Sequence, residues 1–296
     1  MKWFRVLCEP RGSTPCCYDN VCQKKTTEEC VCEGCYDLRT QKHAEYSKWI
    51  PDDKRCQVKN FTSKSACEIL KGGTFHFYGD SVIRQMFLAF IIIVKGDYRH
   101  GGLAPNTPLK IKQQCEGKNV FPFKNCRPNL DYSPTLCTGT VKAKFLFCGR
   151  LDMGGEAMIN ELKNILDKPK SLVFFGSGLW RMFNITDNSN YARAIIDSVK
   201  KNTTRKWPKL LWSGFSGFGL WRRELVPGVN NENVQLYNRY MERFVGQYNV
   251  PMFDTFNLTR GIRSLDGTHF GPGINFLKAQ IFLNYFLELK NKGEWA

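Results

Sequence analysis

A chain of 296 residues with 42% hydrophobic and 14% aromatic side chains has enough apolar material to bury a sizeable core, which excludes a disordered segment. It leaves room for one α/β domain and a small appendage. The formal net charge of +16 is spread out, +10 in residues 1–150 and +6 beyond, with no basic tail and no DNA- or RNA-binding motif, so nucleic acid is not expected as a partner.

Such a charge suits an acidic partner, a uronic-acid or sulfated glycan or a sialylated surface, although a basic surface with no partner remains open. The longest apolar run, Met86 to Val94, is nine residues, too short to cross a bilayer, and no membrane segment is expected in this chain.

Residues 1–45 carry no sustained period of 2 or 3.6 and read as a Cys-rich, disulfide-stapled module, followed by a second unit over 46–296. All thirteen cysteines (8, 16, 17, 22, 30, 32, 35, 56, 67, 115, 126, 137 and 148) lie in the first half, so the front is expected to be cross-linked and the back to rely on packing. Together with Asn-x-Ser/Thr sequons at Asn60, Asn184, Asn202 and Asn257, they point to the secretory pathway, as a secreted or ER/Golgi-lumenal protein. The run Cys30-Val-Cys32-Glu-Gly-Cys35 offers zinc-ligand types with His43, but it lacks a second matched pair; disulfides are the preferred reading, and neither metal nor cofactor is expected. The odd count leaves at least one thiol free, intermolecular or paired to something outside the chain. The first residues, MKWFRVLCEPRG, hold no apolar stretch of a signal peptide, so the expectation is a truncated N-terminus or a targeting segment upstream.

From Tyr46 onward apolar β-type runs alternate with helical stretches. Strands are expected at Thr74–Tyr78, Lys144–Cys148, Ser171–Phe175, Lys209–Ser213 and Val250–Phe256. Helices are expected at Ser81–Val94, Glu156–Leu166, Asn188–Lys200, Glu232–Tyr248 and Asn275–Lys290. Alternation of this kind implies a mostly parallel sheet covered on both faces, a three-layer α/β/α sandwich. The Pro-, Gly- and Cys-rich stretch Gly96–Thr138 reads as a long insertion forming a lid, rim or binding surface, with local staples among Cys115, Cys126, Cys137 and Cys148.

Sheets of this class carry their sites at the carboxyl ends of the strands. Three loops fall there: Gly79 to Ser81, Gly176 to Trp180, and the glycine-rich Ser213–Gly219, expected to flank the site. Ser81 opens a helix, where unpaired backbone N–H groups and the helix dipole favour developing negative charge, and is the candidate nucleophile. Among the four histidines, His269 is the candidate base, because Asp266-Gly267-Thr268-His269 puts a carboxylate one turn before the ring. Each residue has a plainer alternative: a serine after aspartate is often part of a helix cap, and a histidine before a C-terminal helix is often structural. Asp80 is expected to cap the helix. Arg84, three residues past Ser81 on the same face, is a candidate oxyanion or carboxylate binder, or else an ion-pair partner of Asp80 or Asp266.

The blocks Gly79-Asp80-Ser81-Val82-Ile83-Arg84-Gln85 and Asp266-Gly267-Thr268-His269 resemble the GDSxxR and DxxH blocks of the SGNH (GDSL-type) hydrolases, in particular the PC-esterase branch. That branch includes the trichome-birefringence-like and the neurexophilin-and-PC-esterase proteins. Trp49-Ile50-Pro51, Cys56 and Phe61 are similar to the lead-in of the plant members, and the resemblance spans about residues 46–292. It implies an SGNH-type α/β/α fold and a Ser81–His269–Asp266 triad. The chain departs from many SGNH hydrolases in lacking an oxyanion-binding asparagine. Phe175-Gly176-Ser177-Gly178-Leu179-Trp180 stands in that place, leaving backbone N–H groups near Gly176, Gly178 or Gly149, or Arg84 itself, as the second donor. Trp180 reads as a core residue or as a sugar-stacking platform.

The function these residues point to is a serine-dependent carbohydrate O-acetyl esterase or O-acyltransferase that passes through an acyl-Ser81 intermediate on a glycan or small acyl ester. A non-catalytic secreted glycan-binding or ligand-like protein on the same fold is the alternative. With no GxSxG elbow, P-loop, HExxH or GxGxxG after a strand, the α/β-hydrolase, phosphate-binding and zincin classes lack support.

Overall fold

The computed structural model describes residues 8–9, 12–18, 21–32, 35–40, 55, 58–149, 155–200, 205–219, 229–260, 262 and 264–295. His43, the lead-in Trp49-Ile50-Pro51, Cys56, the sequon at Asn202 and the expected boundary at 45/46 lie outside the described residues.

Near the N-terminus, β1 (Cys16–Tyr18) pairs antiparallel with both β2 (Val21–Gln23) and β3 (Cys35–Asp37). Its apolar cluster is little more than Cys8, Cys17 and Leu38, too small to hold a fold. Disulfides supply the constraint instead: Cys8–Cys22, Cys16–Cys30 and Cys32–Cys35. Cys16, Cys30 and Cys35 lie close together, but all three sulfurs are in these bridges, so no thiolate there is left to bind zinc.

The main sheet holds β4 (Thr74–Gly79), β5 (Thr135–Leu136), β6 (Val141–Phe147), β7 (Ser171–Gly176), β8 (Lys209–Ser213) and β9 (Met252–Phe253), in the order β5-β6-β4-β7-β8-β9. All neighbours are parallel except β5, which runs antiparallel to β6 at the edge. The helices are α1 (Ser63–Leu70), α2 (Ser81–Lys95), α3 (Leu109–Gln114), α4 (Gly155–Lys163), α5 (Ile185–Lys200), α6 (Asn231–Gly246), α7 (Phe256–Thr259) and α8 (Pro272–Asn291).

Successive strand residues face opposite sides, so the central strands supply two cores at once. Phe75, Phe77, Leu172, Phe174 and Leu211 pack with α1, α2 and α8. Tyr78, Val173, Phe175, Leu210 and Trp212 pack with α4, α5 and α6. The result is the three-layer α/β/α sandwich with a mostly parallel sheet that the alternation implies. On the first face Phe282 and Phe286 meet edge-to-face at 4.8 Å, and Phe77 lies 5.4 Å from Phe87 and from Phe90. Each such pair adds about 0.5–1.5 kcal/mol beyond its buried area. Because sheet, α1, α8 and insertion surround α2, almost its whole circumference is buried, which is why its sequence is apolar all round.

Observed and expected elements differ in a few places, each with a local cause. The last strand is only Met252–Phe253: Pro251 has no N–H for a ladder, and the chain turns into α7 at Phe256. Helix α1 was not anticipated; Thr62 and Ser65 form a reciprocal capping box that starts it. The insertion is built from α3, short 3₁₀ turns and β5. Its staples are not all local. Cys115 bonds Cys126, but Cys137 reaches Cys67 in α1, 70 residues away, and Cys148 is buried at the end of β6. Asn60, Asn184 and Asn257 are exposed, as glycan acceptors must be. Among the described residues, no helix is long and apolar enough to cross a membrane.

Candidate active site

The site lies at the carboxyl ends of β4 and β7, the adjacent strands between which the connections diverge. Gly79 ends β4 with φ 156°, and a Cβ there would come within 2.4 Å of Gly176 O, so only glycine allows the two strand ends to approach. The chain then enters α2 directly. Asp80, 2% exposed, is the N-cap and accepts from Val82 N–H at 2.9 Å, as expected of it. Burial pushes the Asp80 carboxyl upward against the lowering effect of that bond and of His269. With Val82 N–H taken by Asp80, the Ser81 N–H at the first helical position remains as the donor beside Ser81 Oγ.

His269 arrives from the other end of the chain. Asp266 Oδ1 accepts from the backbone N–H groups of Thr268 at 2.9 Å and His269 at 2.8 Å, closing a tight turn in which Gly267 takes φ 87°. Leu265 N–H bonds His269 O, and Gly219 N–H bonds Gly267 O, tying the turn to the loop after β8. Phe270, buried with Ile262 and Ile274, anchors the segment beneath His269.

Asp266 Oδ2 is left to meet His269 Nδ1 at 2.7 Å, and His269 Nε2 lies 2.7 Å from Ser81 Oγ. An ionised carboxylate only accepts, so Nδ1 carries the proton and Nε2 is the acceptor for the Ser81 hydroxyl. Burial raises the Asp266 carboxyl, but the His269 hydrogen bond and charge and the two backbone N–H groups outweigh it, holding Asp266 well below the usual carboxylate range.

Ser81 and His269 open into a cavity of about 510 Å³ whose other walls are Arg84, Arg127, Phe147, Leu179, Trp180 and Met182. Trp180 is not core: it is 44% exposed, edge-on to Phe147 at 5.7 Å, and stands as a wall because the backbone of Gly149 lies against its ring. Arg84 is buried at 7% exposure, and no ion pair with Asp80 or Asp266 forms. It lines the cavity beside Ser81.

Gly176 and Gly178 do not line the cavity: a Cβ at Gly176 would strike Ser213 O at 2.7 Å and one at Gly178 the Phe215 ring at 2.7 Å, so both serve close packing. The Ser213–Gly219 loop flanks the site from behind rather than lining the cavity, since Gly219 N–H bonds Gly267 O in the His269 turn. Ser213, Gly214 and Phe215 sit behind Asp80 and Gly176, and Phe218 is buried. The sequence reading missed Arg127, Phe147, Leu179 and Met182. Arg127 had a signal in its place in an insertion expected to form a rim, Leu179 in its place in the Gly176 to Trp180 loop, and Phe147 in its place near the carboxyl end of an expected strand; Met182 had none.

No family model matches the chain. No curated protein matches it. Among solved structures it is similar to a carbohydrate acetylesterase from Sinorhizobium meliloti (16% identity, TM-score 0.46, covering 73% of this chain and 99% of that one). It is also similar to an aryl esterase from M. smegmatis (15%, 0.45, 73% and 99%) and an acetylxylan esterase from Geobacillus stearothermophilus (13%, 0.39, 73% and 94%).

Proposed function

We propose that this protein is a serine-dependent esterase of the SGNH type that cleaves a glycan O-acetyl or similar acyl ester through an acyl-Ser81 intermediate. The observation that carries the reading is the continuous chain Ser81 Oγ to His269 Nε2 to Asp266, with both links at 2.7 Å. Ser81 Oγ attacks the ester carbonyl carbon while His269 Nε2 takes its proton. The tetrahedral oxyanion accepts from Ser81 N–H and from the Arg84 guanidinium. His269 then protonates the departing alcohol as the C–O bond breaks, and Asp266 stabilises the imidazolium throughout.

Water deacylates Ser81 by the reverse proton route in an esterase; a sugar hydroxyl takes its place in an O-acyltransferase, with the same residues in the same roles. The convergence of residues from opposite ends of the domain supports catalysis over a purely glycan-binding role, which would need no aligned Ser–His–Asp chain. The exposed Trp180 beside the nucleophile supports a sugar-bearing substrate, since aromatic faces stack on pyranose rings. The disulfides support a secreted or lumenal setting.

Labelling with a fluorophosphonate probe tests the reading without a known substrate. Modification is expected at Ser81 and is expected to be lost in His269→Ala. An intact, folded protein that leaves the probe unreacted would refute it.

A further inference from the structure

Arg84 and Arg127 both line the cavity that holds Ser81 and His269, bringing two guanidinium-bearing side chains to it. Among the described residues neither side chain donates a hydrogen bond or forms an ion pair, and Arg127 Nε is buried with no partner at all. The acids within their surroundings are committed elsewhere. Asp80 caps α2, Asp266 holds His269, Asp131 pairs with Lys95 at 2.8 Å and Glu116 with Arg99 at 2.6 Å. Burial, and after it the like charge of Arg127, disfavours the charged form of Arg84. Two unpaired cations side by side are costly to fold around, because each loses water and the pair repels. A transient oxyanion calls for one such group and offers a full negative charge only during reaction, so it does not account for the second.

The remaining surfaces differ from this one. The buried Lys278 ammonium already donates to Ser216 Oγ, and the open hollow at Lys24, Lys25, Glu28, Glu29 and Arg39 mixes both signs of charge. Among the described residues, the active-site cavity combines two guanidinium-bearing side chains, neither of them in an ion pair, with access to a nucleophile; Asp80 attracts Arg84 only from a distance, while it caps α2.

We infer that Arg84 and Arg127 form a subsite for an anionic substituent, a carboxylate or sulfate carried by the substrate close to its acyl ester, and that Arg127 is a specificity-determining residue. The inference rests on the esterase reading and narrows its substrate to acidic sugars. Guanidinium groups match both anions through paired N–H donors, and in a cavity partly closed by Phe147 and Trp180 such bonds are stronger than at an open surface. Arg127 comes from the insertion, next to Cys126, which the Cys115–Cys126 bridge anchors. The insertion thereby sets which ester is accepted, while α2 and the Asp266–His269 turn perform the chemistry.

The test separates binding from turnover. Ser81→Ala protein, with both arginines intact, is titrated calorimetrically with methyl glucuronide, methyl glucoside 6-sulfate and neutral methyl glucoside. At least one acidic ligand is expected to bind about tenfold or more tightly than the neutral one, and Arg127→Gln in the same background is expected to remove most of that ratio. Which acidic ligand gains tells carboxylate from sulfate. Equal binding of all three, or an acidic preference that Arg127→Gln leaves unchanged, overturns the inference.

In the Ser81 protein, the monoacetyl esters of the same sugars are compared by kcat/KM. A preference for the acidic ester that falls in Arg127→Gln and falls less in Arg127→Lys supports the subsite. Hydrolysis of acidic and neutral esters at equal rates refutes the subsite while upholding the esterase. Acidic binding without hydrolysis of any ester upholds the subsite and refutes the esterase.

Discussion

Ser81 Oγ and His269 Nε2 lie 2.7 Å apart although 188 residues separate them in the chain. The contact exists because β4 and β7 bring their carboxyl ends together, α2 starts without a spacer after Gly79, and the Asp266–His269 turn is tied to the loop after β8. Each support can be perturbed separately, and the consequences differ.

Asp266→Asn tests the carboxylate without removing the turn. Asparagine Oδ1 can still accept from the Thr268 and His269 N–H groups, so the thermal midpoint is expected to stay close to that of the parent. The imidazolium would lose its counter-charge and its tautomer control, and turnover of 4-nitrophenyl acetate should fall by up to about four orders of magnitude. Near-normal turnover combined with a lowered midpoint would assign Asp266 a purely structural role.

Gly79→Ala tests the strand ends. The new Cβ would sit 2.4 Å from Gly176 O on a backbone at φ 156°, so β4 and β7 must separate. A loss of about 2 kcal/mol or more in chemical denaturation is expected, with a drop in probe labelling of Ser81. A variant as stable as the parent would mean that the close approach is not required.

Lys278 on α8 offers a pH test of the same region. It is 4% exposed, donates to Ser216 Oγ, and has Nζ 5.2 Å from the centre of the Phe270 ring. Burial pulls its ammonium down to about 7. Between that value and its ordinary range near 10.5 the unfolded chain binds the extra proton, so stability is expected to rise as pH increases through this window. Below about 7 both states are protonated and the full penalty of the buried charge remains. Lys278→Met should therefore raise the thermal midpoint at pH 6 more than at pH 9. An equal change at both values would show that the lysine is not buried as a cation.

The Cys115–Cys126 bridge closes a short loop and is expected to contribute about 3 kcal/mol by restricting the unfolded chain. Cys115→Ala/Cys126→Ala should lower the thermal midpoint and also the acidic-to-neutral ratio of ester kcat/KM, since Arg127 follows Cys126 directly. A lowered midpoint with an unchanged ratio would mean that the bridge stabilises the insertion without positioning Arg127.

Much of the domain was legible from local pattern. The strand-and-helix alternation from Thr74 to the C-terminal helix specified a parallel sheet with two covered faces, because short continuous apolar runs buried on both sides and intervening helices have few other ways to pack. Ser81, Asp266 and His269 could be singled out because their chemistry is written into short segments, an N-capped helix start and a three-residue Asx turn. Tertiary structure decided what depends on distant neighbours. Trp180 is exposed because the Gly149 backbone and Phe147 occupy the side it would otherwise bury. Cys137, which follows β5, bonds Cys67 on α1 rather than a nearby cysteine, a pairing that spans 70 residues. Gly176 and Gly178 are demanded by the close approach of Ser213 O and the Phe215 ring, neighbours that no local pattern names. Arg127 enters the site only through the path of the insertion, and a lone arginine in an irregular loop has no periodicity to say which way it faces. Chemistry confined to a few consecutive residues can be read from the sequence, whereas the walls of the cavity come from segments that meet only when the sheet closes.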